Sequence, residues 1–154
     1  MDADTDLQQR ELVVTRVIDA PRALVFRAWT QPEHVARWWG PKGFTVTHCE
    51  MDVRVGGAYR CAMRSPQGTE YWKRGVYREI VEPERVVFTF AWEQPDGSLE
   101  HELLTTVTFE AHGSKTRLTL RQGVFETTGR RDDHVTGWSS TLERLAEYLT
   151  TQGG

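Results

Sequence analysis

The sequence contains no apolar run near the roughly 20 residues that cross a bilayer as a helix, and only two cysteines in 154 residues. The first absence argues against membrane insertion; the second leaves no disulfide framework, so a core must hold the fold. Strong charge of either sign is missing too, with a net charge of −3 and an isoelectric point near 6.0. Nucleic acid and anionic membrane surfaces are therefore not expected partners. Met1-Asp2-Ala3-Asp4 lacks the basic and apolar regions of a secretory signal, which predicts a cytoplasmic location. No Gly-rich phosphate loop follows a strand, and Gly56-Gly57 reads as a hairpin turn. Neither a Gly-x-Ser-x-Gly elbow nor a His-Glu-x-x-His helix occurs. The familiar catalytic classes have no support, and no cofactor is implied.

What is present is aromatic. Six tryptophans and sixteen aromatic residues in all exceed the needs of a plain core of this size, which points to an aromatic-lined cavity. The length fits one domain over residues 11–150, preceded by a polar, acidic tail over residues 1–10 that is expected to be disordered.

The longest periodic stretch runs from Arg131 to Leu149. Val135, Trp138, Leu142, Leu145 and Leu149 recur in steps of three and four, the stripe of a helix buried along one face. Asp132 and Asp133 are placed to cap its start. Gly137 interrupts it at a cost of about 1 kcal/mol relative to alanine, which suggests a close backbone approach. Its first turns carry His134, Gly137, Trp138 and Thr141, whereas later turns are Leu, Ala and Tyr.

Elsewhere, the β-branched run Leu12 to Ile18 predicts a first strand. Pro21 opens a helix through Thr30, and Thr30-Gln-Pro-Glu33 matches a capping box for a second short helix to Trp38. The period then alternates, predicting strands over Phe44–Val53, Ala58–Arg64, Glu70–Val81, Arg85–Glu93, His101–Ala111 and Lys115–Gly123. Apolar residues change face within Phe44–Val53, where either a bulge or partial cover of both faces is expected. The fold class is thus α+β: seven antiparallel strands curling around one long C-terminal helix, with two short helices after the first strand.

The segments Ala20-Pro-Arg-Ala-Leu-Val-Phe26-Arg-Ala-Trp29-Thr, Trp38-Trp-Gly-Pro-Lys-Gly43-Phe44, Cys49-Glu-Met-Asp52-Val-Arg-Val-Gly56-Gly57, Gly75-Val-Tyr77-Arg-Glu-Ile80 and Gly137-Trp138-Ser-Ser-Thr-Leu142-Glu-Arg-Leu145 carry a resemblance. Together they resemble the START-like (SRPBCC) superfamily, in the bacterial branch named after the C-terminal domain of the activator of the heat-shock chaperone ATPase. The resemblance spans about Leu12 to Leu149. It implies a helix-grip fold with a hydrophobic cavity between the long helix and the curved sheet, used in related groups for small apolar ligands. It also implies a stress-response, chaperone-interacting alternative, although the namesake's partner domain is not in this sequence.

Alternation and helix faces nominate Trp38, Tyr59, Cys61, Met63, Phe88, Phe90, Trp92, Val107, His134, Trp138 and Thr141 as cavity-lining, ligand-binding residues. A cyclase- or dehydrase-like enzyme using the same cavity is the catalytic alternative, with His134 or a burial-raised Glu93 as acid or base. His48, Cys49 and Cys61 come nearest to a metal cluster, but neighbouring strand residues point to opposite faces, so no metal site is expected. The expected partner is a small hydrophobic ligand, bound by a monomer or homodimer.

Overall fold

The computed structural model describes residues 9–152. Most of the expected tail lies outside them; at its end, the Arg10 guanidinium donates to the Phe125 carbonyl and the Phe125 amide bonds back to the Arg10 carbonyl. The elements are β1 (Leu12–Ile18), α1 (Arg22–Thr30), α2 (Pro32–Trp38), β2 (Thr45–Met51), β3 (Ala58–Arg64), β4 (Glu70–Val81), β5 (Arg85–Trp92), β6 (Leu103–His112), β7 (Lys115–Gly123) and α3 (Thr128–Gln152). The strands form one antiparallel sheet in the order β1-β7-β6-β5-β4-β3-β2. The meander curls around α3, whose Leu142, Leu145 and Leu149 are fully buried with Phe109, Leu118 and Leu120 of the sheet. This is the helix-grip arrangement.

Two helix starts differ from expectation. Helix α3 begins at Thr128, three residues before the expected Arg131, because the Thr127 hydroxyl accepts from the Arg130 amide at 3.1 Å and caps the helix in place of Asp132 and Asp133. Those aspartates sit within the helix, and Asp132 receives the Arg131 guanidinium at 2.7 Å. No capping box forms at α2 either. The Thr30 hydroxyl turns back to the Phe26 carbonyl at 3.0 Å, and α2 opens at Pro32, whose missing N–H costs nothing in a first turn.

A register shift between Val46 and His48 inserts Thr47 into β2 as a bulge. The extra residue restores parity, so Val46, Cys49 and Met51 pair with Met63, Cys61 and Tyr59 on the face toward α3. The apparent change of face in the sequence is therefore the signature of one inserted residue.

Candidate functional site

The N-terminal half of α3 does not close fully on the sheet. A cleft of about 110 Å³ lies between His134, Gly137, Trp138 and Thr141 of α3, Phe90 and Trp92 of β5, Met63 of β3, and the segment Trp39-Gly40-Pro41 after α2, with Asp133 at its exposed rim. Local geometry places that segment. At Gly40 the backbone takes φ +95, a left-handed conformation that side chains disfavour, and a Cβ there would lie 2.9 Å from Met63 Sδ. The turn is clamped to α3: Arg144 Nη1 lies 3.0–3.1 Å from the carbonyl oxygens of Trp39, Gly40, Pro41 and Phe44, and the Lys42 amide donates to Ser140 Oγ at 3.0 Å. Trp39 thus stands edge-on to Trp138, with ring centres 5.0 Å apart.

One buried polar network backs the aromatic wall. Gln122 Oε1 accepts from Trp138 Nε1 at 3.0 Å and from His134 Nδ1 at 2.8 Å, while Gln122 Nε2 donates to Thr105 Oγ1 at 2.8 Å. An indole N–H only donates, so Trp138 fixes which end of the amide faces α3. His134 then carries its proton on Nδ1, and Nε2 offers a lone pair to Trp92 Nε1 at 3.2 Å. Burial pushes the imidazole down to about 4, with Arg130 adding to the shift. At neutral pH His134 is uncharged and both its nitrogens are engaged, an orienting wall rather than a free base.

The predicted residues separate into four places. Met63, Phe90, Trp92, His134, Trp138 and Thr141 line the cleft. Tyr59, Cys61 and Phe88 line a deeper void of about 30 Å³, and Trp39 lines both this void and the cleft. Trp38 is a core plug, fully buried with Nε1 donating to the Ala28 carbonyl at 2.9 Å, and Val107 is likewise fully buried in the core. Both are corrected from cavity wall to packing. Glu93 is corrected more strongly. It points away from α3 into the Arg60 guanidinium at 2.7 and 3.0 Å, and that partner holds its carboxyl below the usual range, the opposite of a burial-raised acid.

Sequence reasoning missed Trp39 as wall, Gln122 and Thr105 as network, and Lys73. Lys73 is 3 % exposed on the face toward α3, where its Cα pairs with Cys61 on one side and Trp92 on the other. Its ammonium lies over the Trp39 ring, 5.5 Å from the Tyr59 ring centre and 5.3 Å from that of Phe90. Burial lowers its pKa to about 7, against the smaller opposing pull of Cys61 and Cys49. The signal was alternation: Lys73, Gly75 and Tyr77 share one face, as do Leu118, Leu120 and Gln122.

Cys49 and Cys61 are direct cross-strand partners with Sγ atoms 3.4 Å apart, both free thiols. His48 lies on the other face against Glu50 at 2.9 Å, so it does not join them. Among the described residues no group of three His, Cys, Asp or Glu is placed to hold a metal, and no helix is long and apolar enough to cross a membrane. A larger hollow of about 680 Å³ is lined by Glu50, Asp52, Arg60, Arg74 and Glu102 together with Met51, Tyr59, Val76 and Leu99, so charges of both signs break up its apolar wall. The smaller cleft is the one with apolar walls and a few fixed polar groups, the usual character of a small-molecule site.

Comparison with known proteins follows the same outline. The family model described as Activator of Hsp90 ATPase homolog 1-like protein matches residues 19–150. A solved structure from Chromobacterium violaceum is 28% identical, with 91% of this chain and 96% of that one covered at a TM-score of 0.83. One from Nitrosomonas europaea is 25% identical, covering 99% of each chain at 0.79. The AHSA1 protein of Silicibacter pomeroyi, 24% identical over 92% of this chain and 99% of its own at 0.84, shares the fold. No curated protein matches the sequence.

Proposed function

The chain belongs to the Activator of Hsp90 ATPase homolog 1-like family, and from that premise we propose that it binds a small apolar or aromatic molecule in the cleft between α3 and the sheet. The observation that carries the reading is the cleft itself: Trp39, Phe90, Trp92 and Trp138 surround about 110 Å³ left unfilled, against about 30 Å³ in the deeper void. Apolar cavities of roughly 150 Å³ accept benzene, so the volume suits one ring or a short branched chain. Burial of apolar ligand surface at about 25 cal/mol per Å² supplies the affinity. Asp133 at the rim and the Thr141 side chain in the wall supply orientation. Acid–base turnover in the same cleft is the weaker reading, since His134 spends both nitrogens on Gln122 and Trp92.

Tryptophan fluorescence titrated with benzyl alcohol tests the assignment. Trp138→Ala and Phe90→Ala each remove an aromatic wall, and each is expected to weaken binding about tenfold, the equivalent of about 1.4 kcal/mol. Unchanged affinity in both variants would place the ligand elsewhere.

A further inference from the structure

The chain has three lysines against sixteen arginines. Lys42 and Lys115 are exposed, and Lys42 is paired with Glu143 at 2.9 Å. Lys73 is the exception, a basic side chain sealed in the sheet's inner face with no hydrogen-bond acceptor for its amine among the described residues. The groups facing its void are Cys61 and Tyr59 of β3, Tyr77 of β4, Phe88 of β5, Met51 of β2 and Trp39, with the Cys49 thiol behind Cys61. No carboxylate is among them. The one acidic group beside the amine is the Cys61 thiol, which its Cys49 hydrogen bond and the Lys73 charge hold below its ordinary range, so burial outweighs a partial counter-charge and a neutral amine there is both tolerated and nucleophilic. Arginine in the same place would stay charged and inert.

The amine also lies one ring away from the cleft. Trp39 lines both spaces, and Phe90, a cleft wall, has its ring centre 5.3 Å from Lys73 Nζ. We propose that Lys73 is an imine-forming amine, which captures the carbonyl carbon of an apolar aldehyde or ketone whose ring occupies the cleft. The proposal rests on the cleft being the ligand site. In the step, the Nζ lone pair forms the C–N bond while the carbonyl π pair moves to oxygen. One Nζ proton passes to that oxygen. The resulting hydroxyl leaves as water with the remaining Nζ proton, and a C=N bond is left; nothing is oxidised or reduced. Tyr59 donates its hydroxyl to the Thr89 carbonyl at 2.6 Å and the Cys61 thiol is hydrogen-bonded to Cys49 Sγ at 3.4 Å, so the proton passes directly between Nζ and the new oxygen.

With its pKa near 7, about half of the Lys73 amine is neutral at that pH, against roughly one part in a thousand for an ordinary lysine. Full-length protein treated with benzaldehyde and cyanoborohydride at pH 7, then digested and mapped by mass spectrometry, reads the difference directly. The benzylated residue is expected at Lys73, roughly tenfold or more above Lys42 and Lys115. Excess benzyl alcohol, which fits the cleft but forms no imine, should suppress that label. Lys73→Arg and Lys73→Met should both lose it while still binding benzyl alcohol by fluorescence. If benzyl alcohol binds but label falls only on Lys42 and Lys115, the imine proposal fails and the cleft reading stands. If Lys73 is labelled but the alcohol does not compete, the amine is reached by another route and the proposal fails. If neither binding nor Lys73 labelling occurs, both fall together.

Discussion

Replacing Lys73 with methionine keeps the length and apolar stem of the side chain and deletes only its amine, so it isolates what burying that amine does to the fold. Moving an ammonium from 10.5 to about 7 corresponds to about 5 kcal/mol of unfavourable free energy for the charged form. The Cys61 and Cys49 thiols offset part of the full desolvation cost, and that offset is contained in the shifted value. The sign follows from proton counting. Between pH 7 and 10.5 the unfolded chain holds a proton on this lysine that the folded chain has released, so stability rises with pH across that window. Below pH 7 both states are protonated and the penalty is constant. Lys73→Met should therefore be more stable than the parent by about 4 kcal/mol at pH 7, a rise in Tm of roughly 10 °C for a chain of this size. The gap should narrow by about 1.4 kcal/mol for each pH unit above 7. Urea unfolding of both proteins at pH 6, 7.5 and 9, followed by tryptophan fluorescence, measures it. A variant no more stable than the parent, or one whose advantage does not shrink with pH, would refute the picture of a buried amine only partly compensated by its neighbours.

Two further outcomes follow from the cleft wall. Gln122→Leu strips a hydrogen-bond partner from His134, Trp138 and Thr105 at once, and at about 1 kcal/mol for each group left unpaired the loss should be about 3 kcal/mol, or roughly 10 °C in Tm by calorimetry. Gln122→Glu keeps both acceptor bonds and should raise the His134 pKa toward its ordinary value, visible by NMR titration of the imidazole. At Gly137 a Cβ would meet nothing within 4 Å, which overturns the expected close backbone approach. Gly137→Ala should stabilise the helix by about 0.5–1 kcal/mol in urea unfolding, and Gly137→Leu should leave the fold intact while occupying the cleft and abolishing benzyl alcohol binding.

The elements that position the cleft were legible because each rests on a strong local pattern. The stripe from Val135 to Leu149 and the alternation of Phe88, Phe90 and Trp92 are repeated consistently enough that no tertiary context overrides them. The bulge at Thr47 was legible for the same reason, since one displaced residue changes the face of all those that follow. What failed was the inference from polarity to exposure. The alternation that turns Leu118 and Leu120 inward continues to Gln122, and that of Tyr77 runs back to Lys73. Both were passed over because polar groups are costly to bury, yet Gln122 is bonded at both ends of its amide and Lys73 is tolerated by giving up its charge. Trp38 and Trp39 were interchanged for a different reason. Helix α2 ends between them: Trp38 is the last helical residue and points into the core, whereas Trp39 takes an extended backbone, φ −64 and ψ 140, and turns toward Trp138. A single helix end decides which of two adjacent tryptophans lines the cleft.

The six tryptophans make the cleft directly observable. Their indole N–H resonances in a ¹H–¹⁵N correlation spectrum, assigned by substitution and titrated with benzyl alcohol, report on separate places in the fold. Trp39, Trp92 and Trp138 line the cleft, while Trp72 lies on the outer face beneath the Arg60 guanidinium. Saturable shifts of the Trp39, Trp92 and Trp138 signals with Trp72 unmoved are the predicted result. A titration that moves Trp72 and leaves those three in place, or one that moves none of them, would contradict the ligand site proposed between α3 and the sheet.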